Sequence, residues 1–386
     1  MKETVSGFSF ANLGIFRGFG DGIYNAVYAL VLLAIFGNSA TVGLYVAIYS
    51  AAMMLVTLFA NEAFRYFSKA NIFHFSMLAT ALVYFMMGFS VKTGTFITLD
   101  YISGITIVFI GLIIPLFMSD FSKNIGMAKL NSRYYLWQNV GALFAPMIAM
   151  SIAGNFGERA AFLASGVLYG LGFLMFKYFK IVQEDKKPKK LSPRRTFKSL
   201  WRTMVSFFRH SGMTRVYMVS FGRNFLAAMR SLYVPIMVIE QGFSKDTLGI
   251  VLTLGIIPYV ILSEPMGRLA RRYGNRIWML AGFLSFAGFA FWASFATGWT
   301  LLAVFILWQI SGALMEPIQD LLFFDATKKD EQAKYYGVFR TSTMLPKFVA
   351  PLVGAGFIMF FGGTFAVWLI TGVIALMSAW MLLGKK

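Results

Sequence analysis

The sequence predicts an all-α integral membrane protein, with twelve transmembrane helices in two pseudo-symmetric six-helix bundles. Three observations carry that prediction. The 386 residues are 58% hydrophobic and only 13% charged, against roughly 25% charged in a typical soluble protein. Apolar runs of about 20 residues, the length that crosses a bilayer as helix, recur between short polar breaks. The chain is also duplicated. Arg17, Phe19, Thr41, Gly43 and Arg65 reappear 206 positions later as Arg223, Phe225, Thr247, Gly249 and Arg271. With one residue lost in between, Asp120, Lys123, Ala128, Lys129, Ala145, Pro146 and Gly157 recur as Asp325, Lys328, Ala333, Lys334, Ala350, Pro351 and Gly362. Charged, proline and glycine matches are rare coincidences in so apolar a chain.

The spans of the first bundle (1–180) are expected at 9–36, 40–60, 72–91, 97–118, 131–152 and 158–180. The first is not expected to be a removable signal: it runs past a signal-peptide core, carries Arg17 and Asp21, and lacks a small-residue cleavage site. The second bundle (216–386) is expected to span at 216–240, 246–264, 277–296, 299–322, 336–360 and 363–383. Between them, 181–215 is a basic linker. Its EDKKPKKLSPRR stretch disfavours helix, while Phe197, Leu200, Trp201, Met204, Val205 and Phe208 recur at amphipathic-helix spacing. Lys198, Arg202 and Arg209 are then available to anionic headgroups.

Charge fixes the expected orientation. The segments on the side of the termini hold 27 basic residues, against Lys92, Arg159 and Lys245 on the other. The positive-inside rule therefore predicts cytoplasmic termini in a multi-pass protein of the cell (inner or plasma) membrane. These positions also argue against nucleic acid as the meaning of the net charge of +19. With no Cys and only His74 and His210, no metal site and no cofactor is expected. No nucleophile–His constellation or nucleotide loop points to an enzyme.

A charge near the bilayer centre costs at least about 2.5–3.5 kcal/mol on insertion scales, so each one needs a reason. Arg17 and Asp21 lie at i,i+4 and are placed to pair, and Asn25 continues their face. Arg223 repeats Arg17, and Arg230 follows on nearly the same face with no acid inside that helix. Glu316 and Asp320, again at i,i+4 and preceded by Gln309, are the economical partners. Gln138, Asn139 and Lys347 add polarity in the fifth and eleventh spans.

The break after the eighth span reads Gly267-Arg-Leu-Ala-Arg-Arg-Tyr-Gly-Asn-Arg276. It resembles the cytoplasmic loop motif of the major facilitator superfamily, G-x-L-a-D-R-x-G-r-R/K. Gly267, Leu269, Ala270, Arg272, Gly274 and Arg276 match, and Arg271 replaces the usual Asp. Gly141-Ala-Leu-Phe-Ala-Pro146 is similar to the G-x-x-x-G-P stretch of antiporters of that superfamily, with Ala145 for the second Gly. The resemblance implies a secondary transporter in which helices 1, 4, 7 and 10 surround a central cavity and helices 2, 5, 8 and 11 flank it. The intramembrane charges would then converge there.

On that plan the protein moves a small solute by alternating access, coupled to protons or another ion, as a monomer in the lipid bilayer. Asp21, Glu316 and Asp320 are the expected proton carriers. Arg17, Asn25, Gln138, Asn139, Arg223, Arg230, Gln309 and Lys347 are the expected substrate contacts. A cytoplasmic gate is expected from Asp120 with Arg133, Asp325 with Arg340, and Gly267, Arg272, Gly274 and Arg276 of the loop. Organic-anion or phosphate-ester exchange remains open because a guanidinium fork suits phosphate. Hydrophobic-drug efflux remains open on the aromatic and Met content, and a non-transporting sensor or scaffold is the rival of another class.

Overall fold

In the computed structural model, residues 2–63, 67–125, 127–178, 193–327 and 329–383 are described. They are helical almost throughout, with no strand among them. The first six helices are α1 (Lys2–Phe36), α2 (Ser39–Ala63), α3 (Lys69–Phe89), α4 (Thr93–Ile125), α5 (Met127–Phe156) and α6 (Glu158–Tyr178). A shorter α7 (Pro193–Arg209) leads to α8 (Ser211–Glu240), α9 (Lys245–Tyr273), α10 (Asn275–Phe295), α11 (Gly298–Met315), α12 (Gln319–Ala326), α13 (Lys329–Phe361) and α14 (Phe365–Leu383). Eleven helices among the described residues are long and apolar enough to cross a membrane. The twelfth expected span is α8, whose 30 residues suffice in length but are diluted by Arg223, Asn224 and Arg230.

One expected span is not continuous. The run predicted at 299–322 is divided into α11, a 3₁₀ turn over Glu316–Ile318, and α12. The proline in this run is the physical cause, because it lacks the backbone donor that a continuous α-helix needs there. Glu316 therefore sits at a helix break rather than inside a helix. The stretch 179–192, which holds most of the predicted unstructured linker, lies outside the described residues.

The copied residues mark helix ends and crossings. Asn38 caps α2 by accepting from Thr41 N at 2.8 Å, and Ser244 caps α9 by accepting from Thr247 N at 3.2 Å. The paired Gly157 and Gly362 both stop a helix with positive φ, 87° and 75°, a conformation that disfavours any other L-residue. Gly274 of the loop motif does the same at 92° before α10.

Contacts divide the chain into two units that are not simply its two halves. Unit 1 gathers the described residues of Met1–Ile35, Ala51–Lys189 and Ser244–Thr253, and unit 2 those of Phe36–Ser50, Lys190–Phe243 and Leu254–Lys386. The start of α2 thus belongs to unit 2, and the start of α9 to unit 1.

In unit 1, α3 packs on α4 and α6. Its core is aromatic, with Tyr24 stacked on Tyr84 at 4.8 Å and Phe73 against Phe176 at 4.5 Å. The crossing of α1 and α5 depends on small residues. A Cβ at Gly141 would lie 2.6 Å from Ile15 O and 2.7 Å from Phe19 N, and one at Gly14 2.6 Å from Tyr134 O. Small residues let backbones approach where lipid offers no hydrophobic driving force between helices. Gly249 meets Met150 of α5 in the same way, where a Cβ would lie 2.8 Å from the Met150 Cβ.

In unit 2, α10 packs on α11 and α14, and α8 on α13. Trp308 and Trp368 meet edge to face at 4.9 Å and are fully buried. Gly43, the repeat partner of Gly249, lies against α13, where a Cβ would stand 2.9 Å from Pro351 O. α7 is fastened here by one face: Phe207 is buried with Tyr217, Tyr335 and Phe339, and Ser206 Oγ lies 2.8 Å from Tyr335 OH. Its opposite face leaves Trp201, Arg202 and Arg209 exposed. Large apolar side chains such as Phe75, Phe360 and Trp380 are more than 70% exposed, as lipid-facing surfaces require.

Candidate functional site

Each leading helix holds a membrane-embedded arginine, and the structure gives each a different answer to the cost of burial. In unit 1, Arg17 Nε donates to Asp21 Oδ2 at 3.1 Å, with side chains 15% and 22% exposed. Arg17 Nη1 donates to Tyr134 OH of α5 at 3.0 Å. Tyr169 of α6 donates its hydroxyl to the other Asp21 oxygen. The pair on α1 is thus tied to two further helices through tyrosine hydroxyls. Gly111 of α4 leaves room beside it, since a Cβ there would lie 3.7 Å from Arg17 Nη2.

In unit 2, Arg223 Nη2 of α8 reaches Glu316 Oε1 at 3.2 Å across the break between α11 and α12. Asn224 donates to Ser220 O at 2.8 Å, Gln319 Nε2 donates to Ser220 Oγ at 2.7 Å, and Ser220 Oγ lies 2.7 Å from Ser342 Oγ. Hydroxyl and amide links therefore join α8, α12 and α13 beside the ion pair.

Arg230 is different. Its Nη1 donates to Tyr259 OH of α9 at 2.5 Å, and its guanidinium carbon lies 5.5 Å from the centre of that ring. No carboxylate among the described residues pairs with it. Nearby on α11, Gln309 is 9% exposed and its Oε1 has no hydrogen-bond partner.

The remaining expected contacts are scattered. Gln138 is half-buried with its Oε1 unpartnered, while Asn25, Asn139 and Lys347 are exposed. At the expected gate, Asp325 accepts from Asn275 Nδ2 at 2.5 Å, so the acid ending α12 meets the residue directly after Gly274. Arg272 lies over the Tyr273 ring at 5.3 Å, and Arg272, Arg276 and Arg340 are all exposed. The side chains of Asp120, Arg133 and Asp320, and the surroundings of Gly267, lie outside the described residues.

Sequence reasoning missed Asp100. This α4 carboxylate is fully buried and accepts from Tyr24 OH at 2.7 Å and Tyr28 OH at 2.8 Å, both on α1. The signal was present, because an acid inside an apolar run needs a partner; drawing the span from residue 97 made it look like a helix end. Tyr134, Tyr169 and Tyr259 had no such signal, since a membrane tyrosine is as often an interfacial anchor.

Two duplicated sets of membrane helices with arginines on both leading helices define a polytopic transporter-like fold, and the comparisons name its family. The Major Facilitator Superfamily profile matches residues 10–237 and 217–386. The chain belongs to that superfamily and has the fold of a membrane transporter. Among solved structures, a POT family transporter in complex with a thioalcohol conjugated peptide is similar at TM-score 0.78 and 10% identity, covering 97% of this chain and 95% of that one. The nucleoside transporter NupG gives 0.75 and 13%, with 98% of each chain covered. A bacterial homolog of the human lysosomal transporter Spinster gives 0.74 and 12%, covering 98% and 96%. No curated protein sequence matches significantly.

Proposed function

We propose that the protein is a proton-coupled secondary transporter that moves a small solute by alternating access between two six-helix halves. The observation that carries this reading is the Arg17–Asp21 pair in the first helix, held by Tyr134 and Tyr169. A carboxylate inside a membrane helix, balanced by one guanidinium and hydroxyls, can release that guanidinium when it takes a proton. Glu316 on Arg223 is the second such acid, placed at a helix break, and Asp320 lies one turn on. Two features support the gate assigned to the loop motif: the positive φ of Gly274 and the Asn275–Asp325 bond beside it. The halves 1–180 and 216–386, the linker between them, cytoplasmic termini, a cell-membrane location and a monomeric state complete the proposal.

The test is reconstitution of the full chain in liposomes loaded with a pH-sensitive dye. Dipeptides, nucleosides and small carboxylates are then added in turn under an imposed pH gradient. A solute that moves protons with it is expected, and that flux is expected to vanish in Asp21→Asn. Proton flux in the variant equal to that of the parent removes Asp21 from the mechanism. Solute movement indifferent to the gradient removes proton coupling altogether.

A further inference from the structure

Beyond Arg215 at the start of α8, the leading helices hold three arginines, and two of these are already neutralised by their own protein. Arg17 has Asp21 at 3.1 Å and Arg223 has Glu316 at 3.2 Å. Among the described residues, Arg230 has an uncharged phenol, Tyr259, at 2.5 Å and no carboxylate. It is half-buried, and it lies about 15 Å along the helix axis from the C-terminal residue of α8, near the depth of the bilayer centre. One hydroxyl contact leaves most of the five guanidinium N–H groups unassigned. A lone positive charge at that depth is expensive unless an anion arrives to meet it.

Two glycines bring the groups around Arg230 close together. Gly312 of α11 is next to the guanidinium: a Cβ there would lie 3.2 Å from Arg230 Nη1 and 2.9 Å from the Tyr259 ring carbon that bears the hydroxyl. Gln309 stands one turn before Gly312, on the same side of α11. It packs against Gly255 of α9, where a Cβ would lie 2.9 Å from Gln309 Nε2. Gly255 in turn stands one turn before Tyr259. Two bare glycines thus bring an arginine, a phenol and a carboxamide together, and the carboxamide oxygen is buried without a donor.

We propose that Arg230, with Tyr259 and Gln309, binds the carboxylate group of the transported solute. This proposal rests on the transporter reading and deepens it. One uncompensated positive charge calls for one negative charge, which a carboxylate supplies and a phosphate dianion exceeds. The guanidinium fork takes both carboxylate oxygens. Gln309 Oε1 then accepts from a hydroxyl or ammonium on the same molecule, so hydroxy acids and amino acids bind better than simple fatty acids.

The experiment is equilibrium binding to the purified full chain in neutral detergent, read by thermal shift and calorimetry. The probes are lactate, alanine, acetate, inorganic phosphate and tetraethylammonium. Lactate or alanine is expected to raise the unfolding midpoint and acetate less, while phosphate and tetraethylammonium leave it unchanged. Arg230→Gln is expected to weaken the best carboxylate about 10- to 100-fold, the loss of hydrogen bonds to a charged group. Tyr259→Phe keeps the charge but frees its orientation, and a smaller loss is expected. If Arg230→Gln does not fold, Arg230→Lys takes its place: it retains the charge without the fork, and a loss of at least tenfold is expected. Phosphate binding in preference to carboxylates, no shift with any carboxylate, or an unchanged affinity in the Arg230 variants overturns the proposal. Carboxylate binding without transport in liposomes would remove the transporter reading and leave the site. Transport that does not depend on Arg230 would do the reverse.

Discussion

The duplication makes a specific experiment possible in unit 1. Asp21 corresponds through the repeat to Ala227, and Glu316 corresponds to Gly111. The two repeated arginines therefore meet their acids from different places: Arg17 from its own helix, Arg223 from across the α11–α12 break. Arg17 Nη2 nevertheless lies beside Gly111, 3.7 Å from where a Cβ would stand. The acid can accordingly be moved. Asp21→Ala removes the present partner, and Gly111→Asp supplies one from α4. Aspartate is chosen over glutamate because the Cβ position is already close. At 3.1 Å and an effective dielectric of about 20, the pair is worth about 5 kcal/mol gross. Desolvation and residual exposure reduce the net effect of losing one partner to about 1–3 kcal/mol. Asp21→Ala is expected to lower the apparent unfolding midpoint in detergent by a few degrees, followed by tryptophan fluorescence. Asp21→Ala/Gly111→Asp is expected to recover at least half of that loss, a positive coupling in the double-mutant cycle. A double variant no more stable than the sum of its single changes would refute the reasoning, because Arg17 would then not be reading the charge at position 111.

Two further outcomes follow from packing and burial. Gly141→Leu places a side chain on the α1 backbone and is expected to cost about 1–3 kcal/mol as overpacking, whereas Gly288→Ala, with nothing within 4 Å, is expected to leave the thermal midpoint unchanged; equal effects would contradict the close crossing. Asp100→Asn replaces a charged acceptor of two hydroxyls by an amide, at an expected cost of about 1–3 kcal/mol, while Tyr24→Phe removes one of those hydroxyls and is expected to cost less in the same assay.

What could be read in the sequence was whatever depends on local spacing. The Arg17–Asp21 pair was legible because a helix brings i and i+4 together whatever surrounds it. The helix ends at Gly157, Gly274 and Gly362 were legible because glycine tolerates a backbone that other residues avoid. The partnership of Arg223 with Glu316 was legible only as one of the pairings of Arg223 or Arg230 with Glu316 or Asp320, because spacing within a helix does not choose a partner on another. Contacts between distant helices were not. Tyr134 and Tyr169 stand 117 residues from Arg17 and 148 from Asp21, and nothing in their neighbourhood marks them. Pro317 announced the break in the span expected at 299–322, but the apolar run around it masked the signal. Gly14, Gly18 and Gly22, at steps of four, carried a packing message that the charges beside them overshadowed.

The departures from symmetry are more informative than the symmetry itself. A pair made within one helix, such as Arg17–Asp21, keeps its distance when that helix shifts as a body. A pair made between helices, such as Arg223–Glu316, changes length with any movement of α8 against the α11–α12 break. The same difference continues one helical stretch further along each leading helix. Position 24 in unit 1 is a tyrosine that donates to buried Asp100. Its repeat counterpart in unit 2 is Arg230, which donates to a tyrosine instead. Exchanging a neutral donor for a charged one at the same depth, without adding an acid to match, carries a permanent cost in stability. The proposed carboxylate site would account for that exchange, since a solute anion bound at Arg230 would supply the charge that Tyr259 does not.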